Sequence, residues 1–493
     1  MAIRKPSKRK APASKSSSKS TSAYKPNTAN KSRLLSSEHL EFLSNALLTL
    51  DKGFQHLPEI KNSVPGSERL GDVLTATAER LRDNYPYFHP LYAGQMLKPP
   101  HPVAELAYAL AMTINPNNHA LDGGRATSAM EKEAVAQIAT MFGWKKFLGH
   151  LCGGGTMANL EALWVAAKSS SGKTILASTQ SHYTHQRISK VLQLSFETIA
   201  SDARGRIDLK ALEQRLNRRD IGTVVVTMGT TATGSVDPLH EILALRKKYN
   251  FRIHADAAYG GYFTLIKNLE SDTQKAFAAM GEADSIAIDP HKHGLQPYGC
   301  GCILFKDPAV GRWYQHDSPY TYFTSTDLHL GEISLECSRP GAAAAALWAT
   351  QKLLPLTKRG EFAQGLAQGR EAALTLCDRL QADERFVTPF APELDIVIFA
   401  LRAESVSATS VLSRRIFEAA AKRDLHLALA ELPLSLFQNF PRNMKRDRDT
   451  ITCLRSVLMK PAHLDWLDQI WARILACVTN VENPKTRISR RSK

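Results

Sequence analysis

The feature that most constrains this chain is a series of short β-rich runs separated by helical segments between about residues 103 and 355: TILAST, TVVVTM, FRIHADAAY, SIAID and GCILFK. Strands alternating with helices imply βαβ units, and hence a mostly parallel sheet covered on both faces. After Leu353 the pattern changes to a long helix near 358–382, a strand in LDIVIFAL, a helix over 408–423, strands near LHLALA and TCLRSVLM, and a last helix over 463–482. That mixture predicts a separate, smaller α+β domain over 356–483. Ahead of the main domain, apolar residues recur at helical spacing from Leu34 to Leu81, and the stretch from Tyr85 to Pro102 is rich in proline and aromatics. Residues 34–102 therefore read as a helical extension followed by an extended loop.

At 493 residues and 43% hydrophobic the chain can bury a large core. No apolar run reaches the ~20 residues that span a bilayer, and the N-terminus lacks the apolar stretch of a signal peptide. The seven cysteines are scattered with no CxxC pair, which offers neither a disulfide framework nor a zinc site. A soluble protein in a reducing, cytoplasmic setting is expected, with no metal. The net charge of +16 raises a nucleic-acid reading, but ten of the basic residues lie in 1–33 and five in 484–493, with no acids in either stretch. The body between is nearly neutral. The N-terminal tail, rich in Lys, Ser and Pro, cannot offset its own ordering entropy and is expected to be disordered. It reads as a polyanion-binding arm, a nuclear or organellar address, or a solubilising tail.

Two segments taken together point to chemistry: HADAAYGG at 254–261 and SIAIDPHKHG at 285–294. In each, an apolar strand delivers a polar residue to its C-terminal end, Asp256 in the first and Asp289-Pro290-His291-Lys292 in the second. Ligands of open α/β sheets bind outside the carboxyl ends of strands, so Asp256 and Lys292 would face one crevice. A pyridoxal cofactor needs such a pair: a lysine to form a Schiff base with its aldehyde, and a carboxylate to keep the ring nitrogen protonated so that the ring accepts electrons. Its phosphate needs backbone N–H groups and hydroxyls at a helix start. The run CGGGTMAN at 152–159 supplies them, with Gly155 and Thr156 best placed, although a plain loop-to-helix turn has the same composition. His182, in QSHYTH, offers a flat ring to stack on the cofactor or is a structural histidine. Thr231, in GTTATGSVDP, is either a hydrogen-bonding neighbour of the cofactor or a turn residue.

The set GGGTMANLEAL, SHYTH, GTTATGSVDP, HADAAYGG, DPHKHG and LECSRPG resembles, in order and spacing, the pyridoxal-dependent group II decarboxylases that act on aromatic amino acids, tyrosine, glutamate or related substrates. The resemblance covers roughly residues 80–480. It implies an aspartate-aminotransferase-like (fold type I) large domain over 103–355, a smaller C-terminal domain, pyridoxal 5'-phosphate as cofactor, and a homodimer with active sites at the subunit interface. It further implies that Lys292 bonds the cofactor, Asp256 pairs with the ring nitrogen, His182 stacks on the ring and Ala258 packs on its other face. Gly155, Thr156 and His291 would contact the phosphate, with Thr231 near the ring. Arg339, in SRPG, is a candidate for the substrate carboxylate or for a structural salt bridge. Tyr87 and Phe88, with His89, resemble the aromatic stretch that lines the family's substrate pocket, with hydrophobic packing as the alternative.

This sequence departs from the family in two places. Many members carry Asn where Asp289 stands, and a carboxylate there would weaken phosphate binding unless it points away. The loop from Trp313 to Gly331 looks short for one that, in relatives, brings a proton-donating tyrosine to the substrate; Tyr320 and Tyr322 are the candidates. The leading expectation is decarboxylation of an L-amino acid to its amine and carbon dioxide. The segment NPNNHALDGGRAT at 115–127 resembles bacterial tyrosine decarboxylases and favours an aromatic substrate. The alternatives are another pyridoxal carbon–carbon lyase and an oxidative, aldehyde-forming decarboxylase. A nucleic-acid-binding protein is a further alternative that rests on the tails alone.

Overall fold

The computed structural model describes residues 34–58, 65–315, 329–438 and 444–482. Thirteen α-helices lie among them: α1 Ser37–Lys52, α2 Leu70–Leu81, α3 Pro102–Met112, α4 Arg125–Met141, α5 Gly155–Ser169, α6 Thr184–Val191, α7 Leu209–Leu216, α8 Leu239–Tyr249, α9 Ser271–Ala278, α10 Gly341–Leu353, α11 Glu361–Ala382, α12 Val406–Ala421 and α13 Leu467–Glu482. The larger sheet contains β1 Leu148–Cys152, β2 Thr174–Ser178, β3 Phe196–Ile199, β4 Ile221–Thr227, β5 Arg252–Asp256, β6 Ser285–Ile288 and β7 Gly301–Phe305, in the spatial order β1-β7-β6-β5-β4-β2-β3.

The run from β3 through β2, β4 and β5 to β6 is parallel, whereas β7 lies antiparallel to both β6 and β1. Every residue of β4 is buried. Val224 and Val226 join one core cluster, while Val225 points the other way into a cluster with Leu163, Ile175 and Ile188. This is why the strand reads as an unbroken apolar run: both faces are covered, and each fully buried valine contributes roughly 1.5–3 kcal/mol. On one flank α10 packs against α3 and α4, and its alanines allow close approach, with Ala342 and Ala345 meeting Ala111.

The second sheet is antiparallel, formed by β8 Phe386–Val387, β9 Ile396–Leu401, β10 Ala428–Pro433 and β11 Thr450–Val457 in the order β10-β11-β9-β8. Its apolar face is continuous with the main core, since Ile396, Ile398 and Ile451 belong to the same cluster as Ile253 and Ile286. The N-terminal helices differ from everything else. Ser36 caps α1 by accepting from the His39 N–H, yet no residue of α1 or α2 is buried.

The sheet order reverses direction between β2 and β4: the chain runs outward from β2 to β3, then returns to place β4 on the other side of β2. In open α/β sheets such a reversal leaves a crevice at the carboxyl ends of the strands. Because β1 and β6 both run antiparallel to β7, the C-terminal end of β1 opens onto the same side.

Candidate active site

At that edge is a cavity of about 570 Å³ lined by the segments that follow β1, β2, β4, β5 and β6. It gathers Gly155, Thr156, His182, Thr231, Asp256, Ala258, His291 and Lys292, which lie far apart in sequence. Each arrives for a local reason. The chain leaves β1 through Gly153 and Gly154, and Gly154 adopts a φ of +142°, a region L side chains rarely enter. Helix α5 then begins at Gly155, where a Cβ would lie 2.7 Å from the Asp289 carboxylate. The start of α5 thus lines the cavity with backbone and with the Thr156 hydroxyl, an arrangement suited to an anion.

Asp256 closes β5 and is 5% exposed. Its Oδ2 is 2.8 Å from His185 Nε2 and accepts a second, longer bond of 3.4 Å from Asn159 Nδ2. Its Oδ1 accepts from the Ala258 N–H at 3.2 Å. Burial alone would push the carboxyl up, but the hydrogen bond and charge of His185, with His254 and Lys292 nearby, hold it well below the usual carboxylate range. Asp256 is therefore an anion that faces the cavity. Asn159 is itself fixed, because its Oδ1 meets His254 Nε2 at 2.7 Å while His254 Nδ1 meets Ser285 Oγ at 2.9 Å.

Lys292 Nζ is 3.0 Å from Asp289 Oδ2. Asp289 is buried, and its Oδ1 has no partner among the described residues. His291 Nδ1 bonds the Cys300 carbonyl at 2.8 Å, and its ring stacks against Tyr298 with centroids 4.8 Å apart. Burial and the Lys292 charge lower the pKa of His291 against the pull of Asp289. His182 behaves likewise: burial lowers its pKa, as do Lys292 and His185, while Asp256 and Asp289 oppose.

Other candidates lie elsewhere. The Arg339 guanidinium is buried, 2.7 Å from Glu131 Oε1, and donates to the carbonyls of Leu151 and Asn118. It does not line the cavity, and its contacts within one chain are those of a buried salt bridge, one of the two roles the sequence left open. Tyr87 packs edge-on to Tyr92 at 4.9 Å, and Phe88 is exposed; neither lines the cavity. Tyr320 and Tyr322 lie outside the described residues, as do both basic tails. Four cavity or supporting residues escaped sequence reasoning: His185, Asn159, Tyr298 and Glu336, whose Oε2 accepts from the Gly153 N–H at 3.0 Å. His185 follows His182 by three residues in QSHYTH, Asn159 ends the run CGGGTMAN and Glu336 lies in LECSRPG, so three of the four sit inside segments already singled out.

A mostly parallel α/β sheet that presents a lysine, a buried anionic carboxylate and a glycine-led helix start around one cavity defines the class of pyridoxal-phosphate enzymes of fold type I. The pattern of the pyridoxal-dependent decarboxylase conserved domain matches residues 84–402, and the chain belongs to that family. An L-tyrosine decarboxylase of Enterococcus faecium is 29% identical, the match covering 62% of this chain and 66% of that one. A probable L-tyrosine/L-aspartate decarboxylase of Methanothrix thermoacetophila is 31% identical over 56% of this chain and 70% of its own. The chain thus spans just under two thirds of the Enterococcus protein's length. Among solved structures, mouse CSAD superposes with a TM-score of 0.72 at 18% identity, covering 88% of this chain and 91% of that one, a likeness of fold.

The residues present fit the family's cofactor. Asp256 is an anion such as a pyridinium nitrogen requires, the α5 start suits a phosphate, and Lys292 has an amine of the kind that would bond an aldehyde. Among the described residues, no helix is long and apolar enough to cross a membrane.

Proposed function

We propose that the chain removes the carboxylate of an L-amino acid as carbon dioxide, with pyridoxal 5'-phosphate held at Lys292 and a tyrosine-like aromatic substrate favoured. The observation that carries this reading is the convergence of Lys292, Asp256 and the α5 start on one cavity. When bound, the cofactor supplies the electron sink that makes loss of carbon dioxide feasible. The chain's own residues supply position and charge. Lys292 Nζ provides the covalent anchor, and Asp289 holds that amine beforehand through the 3.0 Å contact. Asp256, already ionised, would keep a proton on the ring nitrogen, while Gly155, Thr156 and His291 would hold the phosphate. His182, Ala258 and Thr231, which line the same cavity, would hold the ring. Tyr320 or Tyr322 returns a proton to the substrate carbon. The aromatic preference is supported by the tyrosine decarboxylase relatives and by the 115–127 segment.

We further propose a homodimer. Helix α2 exposes Leu70, Val73, Leu74 and Leu81, and α1 exposes Leu40, Phe42 and Leu48, a pair of apolar faces that a single chain leaves in water. A second copy of the same extension, self-complementary across a two-fold axis, is the occupant such faces favour. Tyr87 and Phe88, which stand off the cavity within one chain, are the residues the partner would offer to substrate. A cytoplasmic setting fits the seven unpaired cysteines. The tails are arms for polyanions on charge alone, tested by salt-dependent binding that disappears on removing 1–33 and 484–493.

The deciding experiment compares purified wild-type protein with Lys292→Ala for the visible absorption of lysine-bound cofactor, then measures carbon dioxide and amine from a panel of L-amino acids. A Lys292-dependent band with amine formed one-for-one with carbon dioxide supports the reading. An aldehyde product supports the oxidative alternative. Two organic fragments without carbon dioxide favour another carbon–carbon lyase.

A further inference from the structure

We infer that His185 is a positioning residue for the cofactor, dividing the two oxygens of Asp256 so that one is anchored in the protein and the other is presented to the cavity. The inference rests on the cofactor reading above. His185, the second residue of α6, is completely buried, and its Nε2 lies 2.8 Å from Asp256 Oδ2. An ionised carboxylate has no hydrogen to give, so Nε2 is the donor whether the ring is neutral or protonated. Asn159, reaching in from α5, donates to the same oxygen, and His254 on β5 holds Asn159 in place. Oδ2 thus faces two donors rooted in two different helices.

Oδ1 has a different environment: its one donor among the described residues is the Ala258 N–H at 3.2 Å, and Asp256 lines the cavity. A carboxylate at the end of a strand could rotate about its last torsion and exchange the two oxygens. The bond from His185 removes that freedom, and it stabilises the charged form where burial disfavours it. The titratable groups that face Asp256 are His182 just ahead of α6, His185 in α6, His254 from β5, and Lys292 after β6. Of these, His185 makes the shortest contact with the carboxylate.

The test uses the holoenzyme and two amide substitutions. His185→Gln can set its side-chain N–H where Nε2 stands, whereas His185→Asn sets it where Nδ1 stands and falls short of Oδ2. Cofactor affinity is measured by fluorescence titration, and the pH midpoint of the visible band by absorbance, with circular dichroism to verify folding. The expected result is that Asn weakens cofactor binding about tenfold, the loss of one charge-assisted hydrogen bond, and moves the band's midpoint, while Gln stays within about threefold of wild type. Equal affinities and equal midpoints in the two variants overturn the inference. So does failure of both to fold, which assigns His185 to the core instead. If wild-type protein shows no Lys292-dependent band, the cofactor reading fails first and this inference falls with it.

Discussion

Lys292 Nζ and Asp289 Oδ2 are 3.0 Å apart, in a segment where the lysine follows the aspartate by three residues at the end of β6. The same carboxylate borders Gly155 at the start of α5, where a phosphate is expected. Asp289 therefore serves the amine while it is free, and opposes an anion at the helix start. With the amine bonded to an aldehyde, as proposed, the buried carboxylate would lose that partner.

Replacing Asp289 by Asn should accordingly tighten cofactor binding, by about three- to tenfold if one like-charge contact at a partly buried site is relieved. Equilibrium titration with pyridoxal 5'-phosphate checks this. Weaker binding in Asp289→Asn would show that the carboxylate's hold on Lys292 matters more than its repulsion of phosphate.

Asp256→Asn should lower turnover by about 10²–10³, the range for removing a preorganised electrostatic partner, while leaving the Lys292-dependent band present. Its effect on stability has a definite sign. A carboxyl held below its ordinary value stabilises the fold at any pH above the unfolded value near ~4, and that contribution is lost as pH falls through the folded value. Wild-type protein should therefore lose stability more steeply than Asp256→Asn below about pH 4, as read by denaturant melts across an acid series.

Arg339→Ala should unfold readily rather than bind substrate poorly. It leaves Glu131 charged and buried without its partner, at a cost of about 3–5 kcal/mol. Thermal melts should drop sharply, and adding Glu131→Gln should recover part of the loss. An unchanged melting temperature with a raised KM would return Arg339 to the substrate.

Leu74→Glu, on the exposed stripe of α2, should shift the protein from dimer to monomer in sedimentation velocity. The isolated helix would lose little, because this position is in solvent within one chain. A dimer that persists in Leu70→Glu/Leu74→Glu would place the subunit contact elsewhere.

Much of this protein was legible in one dimension. The five apolar runs between residues 174 and 305 became β2, β4, β5, β6 and β7, because strands buried on both faces need continuous apolar residues. Lys292, Asp256 and the glycine run stand out in the sequence because the proposed chemistry demands particular residue types beside a strand end, and they line one cavity. Two strands of the larger sheet were not legible. β1, LGHLC, carries a glycine and a histidine, and β3, FETI, is four residues of which only Ile199 is buried, so neither displays a strand's period. Their strand form comes from pairing with β7 and β2.

Side-chain partnerships were the part that sequence could not determine. His185 and Asp256 are 71 positions apart, and Arg339 and Glu131 are 208 apart. Nothing in the local pattern of either member encodes the other. The class of sheet, and Lys292 and Asp256 as polar residues at strand ends, could be read from the chain alone, since periodicity and residue chemistry are local properties. The antiparallel placement of β7, the anchoring of Asp256 by His185 and the burial of Arg339 were decided only by tertiary structure, because each is a contact between segments that folding alone brings within hydrogen-bond reach.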